Sequence, residues 1–105
     1  MDAGFDEFLH VPARLSIVAL LAPADWAEFA FVRDAVGTSD SALSKQITAL
    51  ANAGYAEVRK GRDGGVRRTH VRLTPQGREA FARHAAALEA IVAAARSAPA
   101  ADRNS

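Results

Sequence analysis

The chain contains no cysteine, and only one tryptophan, one tyrosine and one methionine among 105 residues. Without thiols it can form no disulfide, no thiolate nucleophile and no cysteine-ligated zinc site. Its longest apolar run, residues 17–24, falls far short of the roughly 20 residues that a bilayer span requires. The segment from Met1 to Glu7 is acidic, whereas a secretory leader begins with positive charge. A cytoplasmic protein with no membrane association is therefore expected. The length suits a single domain, residues 1–105, with a modest core.

Formal net charge is +1, but this small figure conceals two opposed segments. Residues 1–40 carry seven acids against two arginines, a local balance of −5. Residues 59–72 carry Arg59, Lys60, Arg62, Arg67, Arg68 and Arg72 against Asp63 alone, a local balance of +5. Charge asymmetry of this kind points towards a polyanionic partner, although a basic loop is often only a solvated one.

Pro12 opens the first clear helix, where a residue without an N–H is tolerated. Leu15, Val18, Ala19 and Ala22 line one face of it, with Ile17 and Leu21 broadening that face, and Pro23 stops it. Phe5, Phe8 and Leu9 form a preceding turn. Trp26 to Phe29 reads as a short strand or an extended lead-in. A brief helix follows over 30–36 and ends at Gly37. Thr38, Ser39 and Asp40 are successive N-cap side chains, and helical periodicity then runs to Ala53, where Gly54 ends it. A short helix, a tight turn and a longer helix make a helix-turn-helix pattern.

Tyr55 to Arg59 and Arg68 to Leu73 alternate as strands. In the second, Thr69, Val71 and Leu73 share one side and Arg68, His70 and Arg72 the other. Gly61, Gly64 and Gly65 lie between them and imply a hairpin with a flexible, basic tip. Thr74 and Pro75 then begin a long alanine-rich helix. Phe81, Ala85, Leu88, Val92 and Ala95 recur along it at steps of four and three, a narrow stripe of the kind that pairs helices. A polar tail over 98–105 is expected to fray. The order helix, helix, helix, strand, strand, helix is that of a winged helix: a mainly α fold with a β-hairpin wing, the winged part covering residues 8–73 and the last helix 74–97.

On a helical wheel of the third helix, Leu43, Ile47 and Leu50 form the inward stripe. Ser41, Ser44, Lys45 and Thr48 cluster opposite, with Ser39 at the start. This face is small, polar and mildly basic, suited to phosphates or to base edges in a major groove. A solvated helix face is the ordinary alternative. The hairpin supplies a second basic element: Arg67 and Arg68 near its tip, Arg59, Lys60 and Arg62 on the partner strand, and His70 on the basic face. Helix face and hairpin together are more specific than either alone.

These residues resemble the winged helix-turn-helix transcriptional regulators of the MarR/ArsR kind. The resemblance is carried by the segments Pro12-Ala13-Arg14-Leu15, Leu43-Ser44, Leu50 to Val58 and Leu73 to Arg78. It implies double-stranded DNA as partner, with the third helix in the major groove and the wing on the backbone or minor groove. It further implies a homodimer held by the last helix, and a small-molecule effector between the DNA-binding part and the dimer helices, here around Trp26, Phe29 and Leu88. Ala42 departs from the family, many of whose members have a larger polar residue there. A sequence-specific regulator, most simply a repressor, is the expected function.

No other chemistry competes strongly. His10, His70 and His84 lie on different elements, with His84 expected at the surface or an interface, so neither a metal site nor another cofactor is expected. No glycine-rich phosphate cradle and no nucleophile–base pair is visible. The chain is therefore not expected to be an enzyme. The rival function is a winged helix used as a protein-interaction module, for which the acidic first forty residues would suit a basic partner.

Overall fold

The computed structural model describes residues 4–97 of the chain, so the expected tail over 98–105 lies outside the described residues. Helix α1 (Pro12–Leu21) starts from an extended Val11, with Pro12 in its first turn. It buries Ile17, Val18 and Leu21, while Ala19 faces solvent and Leu15 is only half-buried. The buried face is thus rotated from the expected Leu15–Val18–Ala19–Ala22 stripe. Nearly all of this helix is apolar, so its own pattern defines no sharp face, and packing against its neighbours chooses one. Leu9, from the preceding turn, is completely buried in the same core.

Strand β1 (Ala27–Glu28) is two residues long and leads directly into α2 (Phe29–Val36). Gly37 ends α2 in the left-handed region at φ +71°, a conformation that glycine adopts without a Cβ penalty. Helix α3 (Asp40–Asn52) is capped by Ser39, whose Oγ accepts the Ala42 N–H at 3.2 Å. Leu43, Ile47 and Leu50 are buried as the wheel requires.

Strands β2 (Ala56–Asp63) and β3 (Val66–Leu73) run further towards the tip than the alternation alone suggested. Gly64 and Gly65 have φ of +59° and +84°, so both central residues of the two-residue turn are positive, as the twist of a tight hairpin favours. Pairing therefore continues out to Asp63 opposite Val66, and the expected loose tip is a compact turn. The sheet is antiparallel in the order β1-β3-β2, which makes β3 its central strand.

Helix α4 (Pro75–Arg96) begins at Thr74, whose Oγ1 accepts the Gly77 N–H at 2.9 Å and donates to the Gly54 carbonyl at 2.6 Å. The cap thereby ties the start of α4 to the end of α3. The inward face of α4 is Gly77, Ala80, His84 and Ala87, mostly small residues that let the helix lie close to the domain. Phe81, expected on the dimer stripe, instead packs against the core of its own chain. Ala85 and Leu88 are half-buried, and only Val92 and Ala95 of that stripe are exposed. The expected stripe followed hydrophobic size, whereas the domain seats the helix through its smallest residues. From Glu89 to Ser97 every residue is exposed, so the last turns of α4 project from the domain.

His84, expected at the surface or an interface, is instead completely buried within the chain. Gly77 has the sharpest steric demand in the chain, because a Cβ there would collide with the Tyr55 backbone. Gly77→Ala is expected to destabilise the fold by about 1–3 kcal/mol. Chemical denaturation should show this as a lowered midpoint with an unchanged slope.

Candidate nucleic-acid interface

The outward side of α3 presents Ser41, Ala42, Ser44, Lys45 and Thr48, all exposed. Two arginines hold this helix from behind. Arg33 on α2 donates from Nε to Asp34 and from Nη1 to Asp40, each at 2.8 Å, so it joins α2 to the first residue of α3. These carboxylates push the guanidinium pKa up, and Arg33 in turn holds Asp34 below the usual carboxylate range. Arg14 on α1 donates to Gln46 Oε1 at 3.0 Å and to the Phe8 carbonyl at 2.8 Å, and stacks over the Phe8 ring at 4.1 Å. Gln46 is thereby engaged. Ser39, whose Oγ caps the helix, lies 3.4 Å from the Ser41 hydroxyl.

Strand alternation divides the wing cations into two sets. Residues directly opposite in the β2–β3 ladder share a face: Lys60 with Thr69, and Arg62 with Arg67. This is the face that carries Val71 and Leu73 into the core, and its outer part continues the groove against α3. Phe29, Ser44, Ile47, Thr48, Val58, Lys60 and Thr69 line that groove. Lys60, Arg62 and Arg67 are exposed along it and beyond it towards the tip.

Arg59, Arg68, His70 and Arg72 belong to the opposite face. There Arg68 is paired with Glu28 at 2.8 Å and lies 3.9 Å from Asp63. Arg72 reaches Asp25 and Glu57, both at 3.3 Å. The guanidinium carbons of Arg59 and Arg72 each lie over the Trp26 ring, 4.4 Å from its centroid. His70 is half-buried opposite both Arg59 and Glu28. Of the six expected wing residues, Lys60 lines the groove with α3, Arg62 and Arg67 share its strand face nearer the tip, and Arg59, Arg68 and His70 lie on the opposite face.

The acidic and basic segments are likewise not separate in space, since Asp25 and Glu28 neutralise the back of the wing. Nothing in the one-dimensional charge pattern distinguishes Arg68 from Arg67. The two-residue period does so, once it is carried across both strands. Thr69, Val58 and Phe29 are groove residues that the charge pattern could not mark, because they are uncharged.

Of the residues expected around an effector, Trp26 has the Arg59 and Arg72 guanidinium groups over its ring, Phe29 opens on the α3–wing groove, and Leu88 lies beside Val92 on the outer part of α4. Two of the three histidines, expected to be scattered, meet: His10 Nδ1 lies 3.3 Å from His84 Nε2. Among the described residues, no three His, Asp or Glu side chains gather as a metal-binding group. Among the same residues no helix is long and apolar enough to cross a membrane.

Similarity to known proteins agrees with this architecture. The profile of the winged helix DNA-binding domain family matches residues 13–92. An uncharacterised protein of Methanocaldococcus jannaschii is 29% identical over 68 residues, covering 65% of this chain and 74% of its own. A transcriptional regulator homologue from Pyrococcus horikoshii superposes with a TM-score of 0.79 at 26% identity, over 85% of this chain and 88% of that one. The homodimeric winged helix-turn-helix DNA-binding domain of a possible ArsR-family regulator from Mycobacterium bovis superposes at 0.60 and 27% identity, over 83% of this chain and 72% of that one. MarR-family regulators share the fold as well. With a helix-turn-helix, a paired wing and most of the chain under one profile, this protein belongs to the winged helix DNA-binding domain family.

Proposed function

We propose that the chain is a non-enzymatic, cytoplasmic transcription regulator that binds specific double-stranded DNA as a homodimer and acts as a repressor by occupying its operator. The observation that carries this reading is the shared orientation of two surfaces. The small, polar outer side of α3 and the Lys60–Arg62–Arg67 side of the wing flank one groove, while Glu28, Glu57 and Asp63 serve the opposite face. Short hydroxyl side chains let α3 sit deep in a major groove, with Lys45 within reach of base edge or phosphate. The three wing cations then follow the adjacent backbone or enter the minor groove.

Dimerisation is supported by the projecting end of α4, where Ile91 and Val92 are each 46% exposed. The Mycobacterium bovis relative is homodimeric. Two such chains joined through α4 would present their α3 helices to successive major grooves, about 34 Å apart.

Titration against the chain's own upstream intergenic DNA and a scrambled duplex, at two salt concentrations, tests the proposal. Preference for the natural sequence with a steep salt dependence is expected. Lys60→Ala and Arg67→Ala should each reduce the log–log salt slope by about 0.9, whereas Arg68→Ala should leave it nearly unchanged. No binding to either duplex by a folded dimer would favour the protein-interaction function instead. Because Val92 is exposed in the single chain, Val92→Glu should leave folding stability within about 0.5 kcal/mol yet give monomers in sedimentation and much weaker operator binding. An unmutated chain that sediments as a monomer would exclude the dimeric arrangement.

A further inference from the structure

His84 lies completely buried on the inward face of α4, outside the DNA-facing surface. Its Nδ1 accepts the Asp6 backbone N–H at 3.0 Å. That bond fixes the tautomer: Nδ1 is unprotonated, Nε2 carries the proton, and Nε2–H donates to His10 Nδ1 at 3.3 Å. The same amide donor disfavours a metal at Nε2, since a metal-bound imidazole normally uses its other nitrogen as a donor. Phe5 closes over both rings, its centroid 4.9 Å from His10 and 4.8 Å from His84.

Asp6 extends this cluster to a third element. Its Oδ1 accepts the Leu9 N–H at 3.2 Å, and its Oδ2 accepts the Tyr55 hydroxyl at 2.6 Å. Tyr55 lies between α3 and β2, and its backbone bonds to both the Leu50 carbonyl and the Thr74 N–H. The N-terminal turn, α4 and the exit from the recognition helix thus meet at one point. The titratable and charged groups around it are Asp6, His10 and, on α4, Arg83, which is paired with Glu79 at 3.2 Å. Glu7 is exposed.

We propose that Asp6, His10 and His84 form an acid-opened latch that fastens the N-terminal turn to α4, and that its opening weakens DNA binding. A proton added at His84 Nδ1 removes the acceptor of the Asp6 N–H and leaves a cation buried beneath α4. This loosens the seat of α4 on the domain. Since α4 carries the subunit contact, the spacing of the two α3 helices then departs from that of successive grooves. The consequence for DNA rests on the DNA-binding function proposed above, but the latch itself does not.

The sign follows from the surroundings of the ring. Burial, and then the neighbouring His10, hold the His84 pKa below the ordinary imidazole value of 6.5, with Asp6 opposing. The folded state therefore binds fewer protons than the unfolded one. The latch is intact above the ordinary imidazole range and is lost as pH falls through the His84 value.

The test follows the His84 ring by NMR and the Asp6 amide by hydrogen exchange, with affinity for the upstream duplex measured in parallel from about pH 7.5 to pH 5.5. Expected are loss of Asp6 protection as His84 titrates, and a fall in affinity on the order of fivefold or more. His10→Gln keeps an acceptor for Nε2–H but removes the imidazole that helps hold the His84 pKa down, so the His84 titration should move upward. His84→Gln should abolish the acid step. Asp6 protection that persists through the His84 titration would overturn the latch, as would a His84 titration unmoved by His10→Gln. A latch that opens while affinity holds constant would overturn its regulatory role. Absence of DNA binding at every pH would instead overturn the DNA-binding function while leaving the ring and amide measurements to judge the latch.

Discussion

Strand β3 is hydrogen-bonded on both sides, and the rest of the interface depends on its two-residue period. Val71 and Leu73 are completely or almost completely buried, which anchors the strand in one register. With those two side chains inward, Arg67 must share the α3 side while Arg68 and Arg72 face away. A slip of one residue would bury arginines against α3 and expose two core residues. The hydrophobic cost of that exchange, about 1.5–3 kcal/mol for each large apolar side chain, is what fixes the charges outside. Core packing and charge placement are therefore one constraint expressed on two faces.

The back of the wing shows how the remaining cations are used. Arg59 and Arg72 both stack on Trp26, and Arg68 and Arg72 meet carboxylates supplied by the segment around β1. Each contact is partly exposed and contributes little by itself, typically below about 1 kcal/mol for such ion pairs. Their collective effect is to neutralise one face and leave the other cationic. The hairpin becomes an oriented surface: among the described residues, carboxylates pair with its cations on the face away from α3, whereas on the α3 side Arg62 meets only the Gly65 carbonyl.

Helix α4 divides its length between two tasks. Its first turns are sealed to the domain by small residues, by the Thr74 cap and by the buried His84. Its last turns make no such commitment and expose Ile91 and Val92. A glycine at position 77 belongs to the first task, since only its missing side chain lets α4 approach the Tyr55 backbone. The N-terminal turn completes that seal through Asp6 and His10, so residues at opposite ends of the chain share one junction.

Local chemistry made much of this legible from the amino acids. Ser39 and Thr74 as caps, Gly37 and Gly54 as helix stops, and the Leu43–Ile47–Leu50 stripe all act through neighbours within a few residues, and so they stand in the sequence. The element order and the winged helix followed from them. What only the tertiary structure decided depends on distant partners. The face that α1 buries, the inward packing of Phe81, the pairing of Arg68 with Glu28 and the meeting of His10 with His84 each require chain segments far apart in sequence to come together. Periodicity tells which residues share a face, but which face turns inward is determined by what the rest of the chain places against it.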